Sequence, residues 1–147
     1  MADSSIFEDL FVLELASNHW GDVRRGLQII NDFSRVVHFN NIRAAIKLQL
    51  RHVDTFIHPQ HRQRTDIRYI NKTLATKLTD DEYLVLINAI KNRGCLTMAT
   101  PFDEKSVDLC EQLNLDLIKI ASSDINDWVL LEKIAKLNKP VIASTGG

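Results

Sequence analysis

The sequence predicts an α/β domain built on a parallel sheet, either closed as a (β/α)8 TIM barrel or open and doubly wound. Three observations predict it. Short apolar runs alternate with segments of helical periodicity. The runs are of the kind that strands buried on both faces use, as in LIKI at 117–120. Helix start and stop signals fall between the runs rather than within them. Such alternation calls for right-handed crossovers between parallel strands.

The elements follow in order. FVLEL (11–15) reads as the first strand, and Ser17-Asn18-His19-Trp20-Gly21-Asp22 as a tight turn in which Asp22 caps the helix predicted over Arg24 to Val37. AIKLQL (45–50) is the second strand. Arg51 to Leu78 is a long connection holding Arg51, His52, His58, His61, Arg62, Arg64 and Arg68; loops this long are usually functional or disordered. It reads as a solvated loop or as a lid facing a phosphate or sugar. Thr79-Asp80-Asp81-Glu82 has the capping-box pattern before a helix over Asp80 to Arg93, which Gly94 ends. CLTMA (95–99) is the third strand. Asp103 caps a helix over Glu104 to Leu113, LIKI (117–120) is the fourth strand, Asp127 caps a helix over Trp128 to Leu137, and VIAS (141–144) is the fifth strand.

Strand starts near 11, 44, 95, 117 and 141 are spaced at 33, 51, 22 and 24 residues, against about 31 per unit in an eight-unit barrel. Five strands, the last without a following helix, predict the N-terminal part of a longer barrel, covering about the first five β/α units.

The chain has 147 residues, 45% of them hydrophobic and 25% charged, which is enough for one core. Eighteen basic residues oppose 19 acidic ones for a net charge of -1, so no whole-chain field draws nucleic acid or an anionic membrane. No apolar run approaches the roughly 20 residues needed to span a bilayer, and MADSSIFEDLF lacks the features of a secretion signal. The expected location is the cytoplasm. Cys95 and Cys110 lack metal-ligand spacing and read as reduced core thiols. His58-Pro-Gln-His61 has no acidic or cysteine companions at ligand spacing.

Polar residues inside the strands carry the functional information. Lys47 and Lys119 interrupt apolar runs, where an uncompensated ammonium costs several kcal/mol. Lys47 and Gln49 share one strand face. Beneath covering helices they would be unpaired, whereas at the C-terminal mouth of a barrel they can meet a ligand. The same reasoning places Glu14 at the end of strand one, Thr100 after strand three, Lys119 and Ser122 on strand four and Ser144 at the end of strand five. These groups could satisfy one another, through a Lys47–Glu14 pair and a Lys119–Asp124 pair. Yet two cations with Gln49, Thr100, Ser122 and Ser144 supply more donors than two carboxylates need, which favours a small phosphorylated or carboxylated ligand. A Schiff-base lysine is the rival chemistry. His19 could face substrate as a donor or general acid, or the turn could be structural.

Taken in order, Glu14-Leu-Ala-Ser-Asn18-His19-Trp-Gly21, Ile46-Lys47-Leu-Gln49, Ala99-Thr100-Pro101-Phe102, Lys119-Ile-Ala-Ser122-Ser-Asp124 and Ser144-Thr145-Gly146 resemble the N-acetylneuraminate (sialic acid) synthase family. That family shows E-I-G-x-N-H-x-G, K-F-Q, T-P-F, K-I-x-S-x-E and S-T-G segments. The resemblance implies a TIM barrel that condenses phosphoenolpyruvate with an open-chain N-acylated hexose, of the N-acetylmannosamine type or its 6-phosphate, giving a nine-carbon 2-keto sugar acid and phosphate. It implies that Lys47, Gln49, Thr100, Lys119, Ser122 and Ser144 hold phosphoenolpyruvate and that Glu14 faces the sugar. Asp124 stands where the family has an acid/base glutamate, one methylene longer. Leu15 and Ala16 stand where the family has I-G.

The resemblance further implies a divalent metal, Mn2+ or Mg2+. The family's metal-binding histidines lie on later strands, so no metal ligand is expected up to Gly147. A C-terminal antifreeze-like domain, which completes the partner's site in a homodimer, is expected to be absent as well. A truncated or degenerate barrel acting as a binding module is the non-enzymatic alternative.

Overall fold

A computed structural model describes residues 4–146. Five strands form one sheet: β1 (Leu10–Ala16), β2 (Arg43–Leu50), β3 (Leu96–Pro101), β4 (Leu117–Ile120) and β5 (Val141–Ala143). All pairings are parallel, and the spatial order is the chain order, β1-β2-β3-β4-β5. A doubly wound sheet needs a point where the order reverses; this one has none. Helices therefore fall on one face, and the other face becomes the concave interior of a curled half-barrel.

The α-helices among the described residues are α1 (Val23–Phe39), α2 (Val53–Phe56), α3 (Arg68–Ala75), α4 (Asp80–Asn92), α5 (Glu104–Gln112) and α6 (Trp128–Lys136). The expected caps form. Asp22, Thr79, Asp103 and Asp127 each accept a backbone N–H in the first turn of α1, α4, α5 and α6, and Thr79 with Glu82 closes a reciprocal capping box.

Alternation along the strands splits the core in two. Leu15, Ile46, Leu48, Ala99, Ile118 and Ile120 pack outward against Ile30, Leu86, Ile87, Val107 and Ile134 of the helices; each fully buried side chain of this size contributes about 1.5–3 kcal/mol. On the inner face Ala45, Met98 and Leu117 pack with Val12, Leu96 and Ile142, and Ile6 joins them from the 3-10 turn Ser4–Phe7. Arg43 fixes that turn by donating to the Ser5 carbonyl at 2.7 Å. The inner face is thus apolar below and leaves its polar residues for the C-terminal strand ends.

The 51–78 connection is not a solvated loop. It holds α2, a 3-10 turn (Pro59–His61) and α3. Val53, Ile57 and Ile70 are buried with Phe56 and Ile67 in a small core of their own. Strongly basic composition hid these apolar residues, whose spacing spans two short helices rather than one long one. The packed unit folds back on the turn after β1, where Gly21 takes φ +74° and a Cβ would lie 2.7 Å from the Ala75 carbonyl oxygen.

Gly21→Ala is therefore expected to destabilise the protein by about 1–3 kcal/mol, lowering the thermal midpoint by several degrees. An unchanged midpoint in a circular dichroism melt would contradict the close approach of α3.

Candidate functional site at the C-terminal strand ends

Register places Glu14 of β1 directly opposite Lys47 of β2. Lys47 Nζ lies 2.9 Å from Glu14 Oε2 and donates to Thr100 Oγ1 at 3.2 Å. The lysine side chain is 5% exposed and the glutamate 57%, so the pair puts its cation in the sheet and its anion at the mouth. A bulge follows: the register slips between Glu14 and Ala16, and Ala16 takes φ +51°. Bulges re-aim a strand end and gather beside functional sites; a non-glycine residue in this region stores strain of about 1–3 kcal/mol.

On β4, Lys119 donates to Ser144 Oγ at 2.6 Å and to the Ile120 carbonyl at 2.8 Å. The alternative pairing of Lys119 with Asp124 is not formed. Asp124 ends the 3-10 turn Ser122–Asp124, one Oδ accepts from Ser123 Oγ at 2.8 Å, and the other is buried without a partner. Ser122 opens that turn instead of lying on the strand, because β4 stops at Ile120. It approaches the loop after β5, where a Cβ on Gly146 would lie 3.8 Å from the Ser122 Cβ. Thr100 sits inside β3 instead of after it, and Ser144 follows β5 directly.

Glu14 thus contacts Lys47 alone, and Lys119 has no carboxylate in contact. Burial, and then the like charge of Lys47, push the Lys119 ammonium below its ordinary value of 10.5, while Glu14 partly opposes the shift. An incoming anion would relieve both costs.

Arg51 and the surroundings of Gln49 escaped sequence reasoning. Arg51 donates through Nη1 to Gln49 Oε1 at 3.1 Å. Its guanidinium stacks 3.8 Å from the Phe102 ring centre and 5.6 Å from that of Phe56. Tyr83 donates to the Gln49 carbonyl at 3.2 Å, and burial raises its own pKa to about 12, so it stays a donor. Asp103, besides capping α5, accepts from the His52 N–H at 2.7 Å and fixes the chain just after Arg51. The available signal was a basic residue two places beyond Gln49; the stacking on Phe102 is long-range.

His19 is fully buried, its Nδ1 accepts from the Gly21 N–H at 3.1 Å, its Nε2 is buried without a partner, and burial lowers its pKa despite Glu82. Its Nδ1 contact ties it into the turn after β1. Among the described residues no group of three His, Cys, Asp or Glu could hold a metal ion. His58 and His61 face each other, with ring centres 5.7 Å apart, on the exposed 3-10 turn. Cys95 and Cys110 are both buried and free, as expected. No helix among the described residues is long and apolar enough to cross a membrane.

With this geometry in place, residues 41–147 match the model of the NeuB family. The chain belongs to the NeuB family. It is 30% identical over 143 residues to the N,N'-diacetyllegionaminic acid synthase of Campylobacter jejuni, an alignment covering 93% of this chain and 42% of that protein. Its fold matches the crystal structure of a Chromobacterium violaceum protein described as spore coat polysaccharide biosynthesis protein E, with a TM-score of 0.91 and 40% identity over 95% of this chain and 42% of that one. It also matches the N-acetylneuraminic acid synthetase of Leptospira borgpetersenii, with a TM-score of 0.76 and 26% identity over 94% and 44% of the two chains. The chain thus spans about two fifths of the length of these NeuB relatives.

The Lys119 shift has a consequence for stability. Between its depressed folded value and 10.5 the unfolded chain binds this proton more tightly than the native state, so stability rises with pH across that window. Urea unfolding is expected to show wild type gaining on Lys119→Met as pH climbs toward 10.5. A difference that stays constant with pH would place Lys119 in an ordinary solvated environment.

Proposed function

We propose that the strand-end site binds phosphoenolpyruvate and that the protein takes part in its condensation with an N-acylated hexose, releasing a nonulosonic acid and phosphate. The observation that carries this reading is the charge arrangement. Two lysines, one nearly fully buried, have one carboxylate in contact between them, Glu14 on Lys47, and otherwise meet the hydroxyls of Thr100 and Ser144, with Gln49 two residues beyond Lys47 on the same strand face. A small, multiply charged anion needs such a cradle. The names of the NeuB relatives, synthases of legionaminic and N-acetylneuraminic acids, point to the same product class.

In this reading Lys47 and Lys119 neutralise the phosphate and carboxylate, and Ser144, Thr100, Gln49 and Ser122 direct them. C3 of phosphoenolpyruvate forms a bond to the sugar aldehyde carbon, and the aldehyde oxygen takes a proton. Water adds at C2, and the C2–O bond to phosphate breaks, leaving the 2-keto acid. Glu14, half out of the sheet, faces the sugar side. Asp124, which has one buried oxygen lacking a partner, takes the proton from the attacking water in this reading. The divalent metal and the homodimer of the family belong to this proposal as well.

A Schiff-base reading keeps one observation in its favour, the lowered pKa of Lys119. Borohydride with a carbonyl substrate separates the two, because only an imine is trapped as a stable adduct.

Protein expressed from the complete gene is expected to release phosphate from phosphoenolpyruvate when given an N-acyl hexose and Mn2+. Lys119→Ala should lower this rate at least about a hundredfold, the loss typical of a transition-state electrostatic contact. No release with any of a panel of N-acyl hexoses would sink the proposal; full turnover by Lys119→Ala would return that lysine to a structural role.

A further inference from the structure

Gln49 stands near the end of β2 on the strand face it shares with Lys47, and its carboxamide has one accepting and one donating end. Only the donating end suits an anion. The two ends have nearly the same shape, so the strand alone does not decide which of them is free. The neighbour of the carboxamide decides it. Arg51 Nη1 donates to Gln49 Oε1 at 3.1 Å. A guanidinium carries donors and no acceptor, so the end it meets must be the oxygen. The two N–H groups of Gln49 are left over, and no hydrogen bond among the described residues takes them.

Arg51 is held by its neighbours and not by an ion pair. Its guanidinium lies 3.8 Å from the Phe102 ring centre and 5.6 Å from that of Phe56, and the two rings meet edge to face at 6.5 Å. Asp103 fixes the chain beside it by accepting from the His52 N–H at 2.7 Å. Among the described residues no carboxylate pairs with Arg51, and its Nε is buried without a partner. A cation that donates to an amide oxygen, with no anion to offset it, polarises that amide and strengthens its N–H groups as donors. Seated on aromatic rings, the guanidinium loses little freedom in doing so.

We propose that Arg51 is a positioning residue of the phosphoenolpyruvate site: by holding the Gln49 oxygen it fixes the Gln49 amide as a donor for the anion. The inference rests on the function proposed above, in which Gln49 directs that anion. Arg51 needs no contact with the ligand in this arrangement. Without Arg51 the carboxamide is free to turn and offer its oxygen, which a phosphate or carboxylate oxygen repels. A lysine in its place would keep the charge but lose the flat face that stacks on Phe102.

The test is calorimetric binding of phosphoenolpyruvate, with steady-state kinetics alongside, on protein from the complete gene carrying Arg51→Met, Gln49→Ala or both. Arg51→Met is expected to weaken binding about three- to tenfold, the range of one hydrogen bond, and to raise KM for phosphoenolpyruvate with kcat changed less than about twofold. In the Gln49→Ala background the same substitution should alter binding less than about twofold, because the group through which it acts is gone. Arg51→Lys should give a smaller loss that likewise disappears in Gln49→Ala, and it keeps the test open if Arg51→Met does not fold. Losses that simply add in the double variant, or wild-type affinity in an Arg51 variant whose thermal midpoint has fallen, would overturn the positioning role and leave phosphoenolpyruvate binding standing. Absence of phosphoenolpyruvate binding by the wild type would remove the function proposed above and this inference with it.

Discussion

The rest of the mouth depends on keeping Lys47 charged inside a sheet. An isolated ammonium there is far too costly to persist, so its partner must stand in a fixed place. Parallel register supplies it by setting Glu14 of β1 opposite Lys47 at 2.9 Å, and Thr100 of β3 takes a second donor direction. Because Glu14 is half exposed, the pair does not neutralise the pocket as two buried charges would. The second lysine, Lys119, gets hydroxyl and carbonyl partners but no carboxylate of its own. The result is one lysine held by a carboxylate and a second held only by neutral oxygens.

Topology decides where these lysines appear. Strands added in chain order with α1, α4, α5 and α6 on one face leave a concave inner face that must be filled by its own side chains. Met98, Leu117 and Ala45, with Ile6 from below, fill its lower part. Polar side chains can then stand only at the C-terminal ends, where the loops after the strands meet. The bulge after Glu14 and the 3-10 turn after β4 are local departures from regular strand at that level. Strain and a buried, partnerless Asp124 oxygen are concentrated where a ligand is proposed to sit.

Much of this was legible in the sequence. Strand and helix periods, capping residues and the two lysines in apolar runs led to the right elements, with ends displaced by one or two residues. They also led to the Lys47–Glu14 pair. Two kinds of information were hidden. The 51–78 unit is a small core held by Val53, Ile57 and Ile70, residues scattered through a strongly basic stretch with no single helical period. The stacking of Arg51 on Phe102 joins residues about fifty positions apart, and neither spacing nor composition encodes such a contact. The alternative Lys119–Asp124 pair is not made, because β4 ends between the two residues and Asp124 closes the 3-10 turn that follows.

Whether the two lysines at the strand ends form one anion cradle is decided by a crystal structure of the protein with phosphoenolpyruvate. In such a cradle the phosphate and carboxylate groups lie within hydrogen-bond distance of Lys47 Nζ and Lys119 Nζ, with Ser144 Oγ turned from the lysine toward the ligand. Phosphoenolpyruvate bound elsewhere, or a Lys119–Ser144 bond untouched with the ligand in place, would contradict it.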